Sequence, residues 1–529
     1  MANPVESIKE KSKLIRAISS WQETIWYPAF FALLVAISGS SKDFVYIPLF
    51  WVMATLVIFS LIFSRLNRVI FVPMLQIYCA MGRDVVIDVW DISQNNVIGS
   101  FTTAGLVNMI VVGVVLVNAI VLRLILSGAF KKAFAKLETE PGRKSSGILK
   151  SFTFGLIILS IAALVNGAGS DSWSITNIWI GLLIATGFLF FFFLSYIIIK
   201  SDDYDIRSGL KTKFIEADRY IYVNLVFLGV AICIQVTLLL ISLGRDAFIY
   251  YDNGLVAYVN KSIGALGWGQ YILIGMELAV CMMAGLILAH KESSLFKTIL
   301  CHSATLIFFI FIVITNCRGA IVSCAFIWAA YLFAELFSKK KAGVAFLFIL
   351  IYLLLISIGI LWLVISAGGL EEAGEWLYGF FRFARGKELG GRLELYKMGY
   401  NDFKTNPVAG VGFAKGSIPG KNFYSAMYHD IIVELFGGMG LIGLLCFAAH
   451  LFDYMRYFAK SVTANKLLSV LIPVLIILLS LTDNTIWYLN MQIFYGALLA
   501  ASSLCWDEEG SGPLRKRTKA VSGVALAHR

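Results

Sequence analysis

Four residues combine a chemistry-bearing side chain with an unusual setting: Arg318 in TNCRGAIVSC, Arg392 in GGRLELYKMGY, His429 in YHDIIVELFGG and Asp483 in LTDN. Arg318 lies between two apolar runs with almost no loop, where a charge is costly unless paired or wetted. Arg392 opens a helical pattern after Gly390 and Gly391. Free N–H groups at a helix start, beside a guanidinium, suit an anion. His429 supplies an imidazole, whose ordinary titration near neutral pH suits a proton acceptor. Asp483 closes an apolar run with a carboxylate. Together these groups have the chemistry to hold a phosphorylated anion and to move a proton. The segment VAGVGFAKGSIPG places Gly410 and Gly412 in a loop that permits close approach to a substrate, without a P-loop pattern. Two plainer roles stay open: Arg318 as a snorkelling side chain and Asp483 as a polar helix end at the surface.

The elements that position these residues follow from composition. The chain has 529 residues, 59% of them hydrophobic and only 15% charged, with mean hydropathy +0.80. So much apolar surface requires lipid as the main solvent. That excludes a cytosolic enzyme, a secreted disulfide scaffold, a disordered chain and, because the apolar runs are continuous, an outer-membrane barrel. The expected fold is an all-α polytopic integral membrane protein. Fourteen apolar runs predict about 14 transmembrane helices, the weakest being 69–82, which is short and holds Pro73. With the N-terminus inside, the inner segments carry 30 Lys and Arg against 4 in the short outer loops. That asymmetry predicts both termini inside. It also accounts for the net charge of +11 through topology, so nucleic acid is not an expected partner. On this topology all four chemistry-bearing residues fall on the outer face.

The predicted organisation is a scaffold of helices over 1–300, helices flanking Arg318 over 301–366, a long extracytoplasmic loop over 367–428, the last helices over 429–506 and a basic inner tail over 507–529. A 62-residue loop is long enough for helices of its own. Trp376, Phe380 and Phe383 predict an amphipathic helix on the outer surface, and Leu393, Tyr396, Tyr400 and Phe403 a second, stopped at Asn406-Pro407. The basic runs at 131–144 and 515–519 read as inner anchors. The eight cysteines form no C-x-x-C pair and the five histidines no ligand spacing, so no disulfide framework, metal or cofactor is expected.

The run from Arg392 through Asn406-Pro407-Val408-Ala409-Gly410-Val411-Gly412, then His429 and a helix bearing Glu434, Gly437 or Gly438, Gly440 and Gly443, resembles the O-antigen ligase and polymerase family. Cys317-Arg318-Gly319 resembles the family's earlier Ser-Arg-Gly element. The likeness covers roughly 310–455, with Asp430 where Asn is usual and Cys317 where Ser is usual. It implies a membrane glycosyltransferase at the outer face of the bacterial inner membrane. The implied donor is a glycan on undecaprenyl diphosphate. The implied acceptor is a hydroxyl of the lipid A core (ligase) or of another lipid-linked repeat unit (polymerase). The lipid bilayer and other polysaccharide assembly proteins are further implied partners. In that setting Arg318 and Arg392 clamp the diphosphate, His429 is the general base, Asp483 orients His429 or binds sugar, Glu434 packs or caps, and the anomeric centre inverts. Two rival readings are a flippase or exporter of lipid-linked glycans, which calls for charges along a midplane path, and a non-catalytic scaffold of a polysaccharide assembly complex, which leaves the ordered outer motif unexplained.

Overall fold

In the computed structural model the described residues are 13–40, 43–77, 103–134, 146–170, 173, 175–208, 216–250, 256–259, 271–336, 341–380, 392–412, 416–417, 424–425, 428–460, 466–483 and 485–507. They are almost entirely helical. In chain order the helices are α1 (Lys13–Gln22), α2 (Trp26–Ser40), α3 (Asp43–Phe63), α4 (Thr103–Leu126), α5 (Ala129–Phe134), α6 (Ser146–Val165), α7 (Ile175–Arg207) and α8 (Ala217–Leu243). There follow α9 (Tyr271–Lys291), α10 (Leu295–Ile314), α11 (Arg318–Leu336), α12 (Ala342–Ala367), α13 (Leu370–Phe380), α14 (Arg392–Thr405), α15 (Ile431–Lys460), α16 (Lys466–Thr482) and α17 (Leu489–Asp507). Two small antiparallel ladders pair β1 (Phe248–Tyr250) with β2 (Val256–Val259) and β3 (Gly416–Ser417) with β4 (Tyr424–Ser425).

Seven of these helices contain stretches long and apolar enough to cross a membrane, and six shorter apolar helices accompany them. The apolar run at 69–82 is different. It holds a 3-10 turn at Asn67–Ile70 and a π turn at Pro73–Ile77, and the rest of it lies outside the described residues. Of the two amphipathic helices expected in the long loop, α13 ends at Phe380, so Phe383 falls outside the described residues, and α14 ends as expected just before Asn406-Pro407.

Buried side chains run along α8, α9 and α17, the centre of the bundle. Small residues let these helices approach: a Cβ at Gly496 of α17 would meet the backbone of Phe191 and Phe192 in α7. By contrast α12 keeps only Val344, Ala345, Phe348, Leu363 and Ser366 buried, while Leu350, Leu354, Ile358, Leu361 and Ile365 face outward. Lipid is the solvent such a surface requires.

Charged side chains gather at one end of the bundle. Asp202 of α7 accepts the backbone N–H groups of Asn67 and Arg68 at 2.7 and 2.9 Å, and Arg68 places its guanidinium 5.5 Å from the centre of the Tyr220 ring. Arg123 Nε donates to Asn67 Oδ1 at 3.0 Å, which sets the C-terminal ends of α3 and α4 side by side. Lys132 pairs with Asp205 at 2.8 Å, Lys291 with Asp218, Arg219 with Glu292 and His290 with Glu335. These contacts tie α5, α7, α8, α9 and α11 at a common face. Because Asp202 is fully buried against Arg68, Asp202→Ala is expected to destabilise the fold by about 3 kcal/mol through the uncompensated charge it leaves. Thermal unfolding in detergent checks this, and an unchanged melting temperature would refute it.

Candidate active site

The opposite end of the bundle carries the chemistry-bearing residues. Two helices there start from a residue in the left-handed region. Asn316 (φ +54°) precedes α11 and His429 (φ +55°) precedes α15. Asn and His tolerate this region better than most side chains, yet it still costs of order 1–3 kcal/mol and persists where neighbours enforce it. Asp430, next to His429, caps α15 by accepting the N–H groups of Ile432 and Val433 at 2.8 and 3.1 Å. Asn in its place would accept the same bonds, so the departure from the usual residue leaves the cap intact. Glu434 reaches back to accept the Tyr428 N–H at 3.0 Å. His429 is thus bracketed by caps on both sides.

The imidazole meets the end of α16. His429 Nδ1 lies 2.9 Å from Asp483 Oδ1, and Tyr488 donates its hydroxyl to the same oxygen at 2.9 Å. Asp483 is 2% exposed, whereas the His429 side chain is 40% exposed. A buried carboxylate is tolerated when its oxygens are satisfied. With Nδ1–H donating to Asp483, the ring's lone pair is on Nε2, the tautomer of an oriented general base. The turn after Asp483 is braced by Thr485, which bonds Ser480 and Tyr495 at 3.0 Å each.

Arg318 opens α11, and its neighbour Gly319 has no room for a Cβ because the Thr482 side chain fills that space. The first turn of α11 therefore rests on the last turn of α16, next to Thr482. Arg318 is partly buried. Arg392 is the first residue of α14. That helix packs against α15 where Gly399 meets Gly437, Val433 and the Tyr428 ring, with Phe403 edge-on to Phe436 at 5.8 Å. Gly399 follows Arg392 by two turns, about 10 Å along the axis.

Gly410 and Gly412 are placed elsewhere. The 406–412 turn inserts into a break in α15, where Gly440 has φ +65° and ψ −162°. Gly410 N closes the turn on Asn406 O at 2.8 Å, and across the break Val411 N donates to Gly437 O at 3.1 Å and Gly412 N to Gly438 O at 2.9 Å. In return Leu441 N donates to Pro407 O and Ile442 N to Val408 O, at 2.9 and 3.1 Å. The Asn406 side chain donates to Ala168 O at 2.7 Å, and Gly167 N donates to Ala409 O at 2.9 Å. Both glycines have positive φ, and their N–H groups are taken by the protein's own carbonyls. They lie about 12 Å along α15 from Asp430. The structure thus joins His429 to Asp483 directly, sets Arg318 against the same helix end, carries Arg392 on a helix packed to α15 and keeps the two glycines at a separate backbone seam.

Several participants escaped the sequence reading. Tyr488 and Asp402 belong to no motif in the sequence. Yet Asp402 accepts the Tyr428 hydroxyl at 2.5 Å. Burial raises the pKa of both groups. The adjoining carboxylate adds to the rise for Tyr428, and the hydrogen bond opposes it for Asp402. The one available signal was the position of Tyr428 directly before His429. Among the described residues no three His, Cys, Asp or Glu side chains gather closely enough to hold a metal ion.

A Cβ on Gly410 would strike the Gly438 carbonyl and would occupy a left-handed backbone as well. Gly410→Ala is therefore expected to cost at least about 2 kcal/mol and lower the yield of folded protein, whereas Gly113→Ala, with open space around it, is expected to be neutral. Size-exclusion profiles and melting temperatures of the two variants make the comparison; equal behaviour would count against the seam.

No curated protein matches the chain. Residues 303–448, which hold Arg318, Arg392, Gly410, Gly412 and His429 but not Asp483, match the family model Wzy_C, described as O-antigen ligase. The chain is a multispanning membrane protein, and its residues 303–448 are similar to the O-antigen ligase family model.

Proposed function

We propose that the protein transfers a glycan from undecaprenyl diphosphate to an acceptor hydroxyl at the outer face of the bacterial inner membrane, as a ligase or polymerase of surface polysaccharide synthesis. The observation that carries this reading is the His429–Asp483 pair at 2.9 Å, with a half-exposed imidazole backed by a buried carboxylate, inside or beside the family-matched segment. In the proposed reaction Asp483 holds the Nδ1–H, and His429 Nε2 removes the proton of the acceptor hydroxyl. The acceptor oxygen bonds to the anomeric carbon as that carbon's bond to the diphosphate oxygen breaks. Arg318 and Arg392 neutralise the charge that grows on the departing diphosphate. Attack opposite the leaving group inverts the anomeric centre. The lipid-linked donor already holds an activated glycosyl–phosphate bond, so the proposal needs neither metal nor nucleotide. Gly410 and Gly412, first read as substrate-binding, act in this scheme by positioning α15.

The proposed topology has about fourteen crossings with both termini inside. It is supported by the side-by-side C-terminal ends of α3 and α4, which point both helices toward the same end of the bundle. It is also supported by the gathering of the expected inner segments, around 67, 132, 202, 218, 291 and 335, at the ion-paired end. In a cysteine-free background, Asp246→Cys is expected to react with an impermeant maleimide on intact spheroplasts and Ser293→Cys only after permeabilisation. The reverse pattern would invert the orientation.

His429→Ala, Arg318→Ala and Arg392→Ala are each expected to lower transfer by about 10³-fold, at normal protein levels, when purified protein is given a synthetic undecaprenyl-diphosphate oligosaccharide. A ladder from the donor alone indicates a polymerase, and a single shift of an added core lipid indicates a ligase. Retained transfer in His429→Ala would remove the base, and translocation into liposomes without any transfer would favour an exporter.

A further inference from the structure

Tyr428 stands immediately before the proposed base and is held on three sides. Its ring lies between Gly399 of α14 and Gly437 of α15, where an added Cβ would come within 3.3 and 3.0 Å of it. Its hydroxyl donates to Asp402 Oδ2 at 2.5 Å, and its N–H donates to Glu434 Oε2 at 3.0 Å. The residue is only 3% exposed. Burying a phenol beside a carboxylate is costly unless each satisfies the other. Glycan transfer itself makes no demand for such a pair. The residue that follows, His429, sits in a left-handed conformation that must be enforced by its surroundings. Asp402 belongs to the helix that begins with Arg392, about 15 Å earlier along the axis. One hydrogen bond therefore links the helix that begins with a guanidinium to the residue adjoining the imidazole.

We propose that the Asp402–Tyr428 hydrogen bond is a positioning latch: it fixes the register of α14 against α15 and holds the His429 imidazole toward the acceptor hydroxyl. The latch rests on His429 acting as the base. Tyr428 and Asp402 are positioning residues that act through His429. Burial keeps the proton on the phenol at neutral pH, so the bond persists across the working range.

The test uses the full-length protein in nanodiscs with a synthetic undecaprenyl-diphosphate oligosaccharide and reads kcat and donor KM separately. Tyr428→Phe keeps the ring between the glycines and deletes the hydroxyl. Asp402→Asn keeps an acceptor oxygen, and Asp402→Ala removes it. Tyr428→Phe and Asp402→Ala are expected to lower kcat by about 10- to 100-fold with donor KM changed by less than about twofold. Asp402→Asn is expected to retain activity within about threefold of the parent. The Tyr428→Phe, Asp402→Ala double variant is expected to fall no further than either single one, because both remove the same bond. Parental kcat in Tyr428→Phe, a loss confined to donor KM, additive losses, or Asp402→Asn as impaired as Asp402→Ala would each overturn the latch. If Tyr428→Phe does not accumulate, the contrast between Asn and Ala at position 402 decides alone. His429→Ala measured in parallel separates the two levels: if it is inactive while Tyr428→Phe is unimpaired, only the latch fails, and if it is active, the base and the latch fail together.

Discussion

The site depends on a carboxylate that the fold buries at the end of a membrane helix. Asp483 is almost fully enclosed, and its Oδ1 accepts from both an imidazole and a phenol. A charge in that position is expensive unless it is satisfied, and one donor comes from just before α15 and the other from the turn that follows α16. Satisfying Asp483 obliges the start of α15 to dock on the end of α16. The first turn of α11 then has one place to go, against Thr482, with glycine at the contact. Segments around 318, 429 and 483 thus meet at one helix end, although 54 residues separate the second from the third and more than a hundred separate the first from the second.

A second constraint acts through the backbone. A helix broken at Gly440 exposes carbonyls and N–H groups, which are costly to leave unpaired in or near a membrane. The Asn406–Gly412 turn supplies the partners, and the loop around Gly167 covers the turn from the other side. The conformations that make this possible are open to glycine and closed to nearly everything else. What reads in the sequence as a loop open to a substrate is here a join with backbone bonded to backbone in both directions.

Much of this was legible in the sequence, for identifiable reasons. Apolar runs of membrane length predict helices because lipid leaves the backbone no other way to satisfy itself. Arg318, His429 and Asp483 were conspicuous because each sets a charged or titratable group against an apolar run on the face whose short loops hold few charges. The pairing of His429 with Asp483 was only one of three roles considered for that aspartate, since 54 residues separate the partners and no local rule fixes the distance. The seam role of Gly410 and Gly412 was not legible, because a glycine that admits a ligand and one that admits another backbone have the same sequence signature. Tyr428, Asp402 and Tyr488 were missed because amphipathic residues at an interface are ordinary; only their partners distinguish them. Glu277, a buried acid within α9, also gave no local signal.

One consequence concerns α12. Its 26 residues extend about 39 Å, against a hydrocarbon layer of about 30 Å, and few of its side chains touch protein. A helix longer than that layer meets the mismatch by tilting, by reaching past it or by thickening the bilayer around it. The short helix α13 continues from its end with only Gly368 and Gly369 between them. Acyl-chain length is thereby a mechanical input to the segment that leads into the long loop, and thicker or thinner bilayers would raise or lower the point at which that loop leaves the membrane.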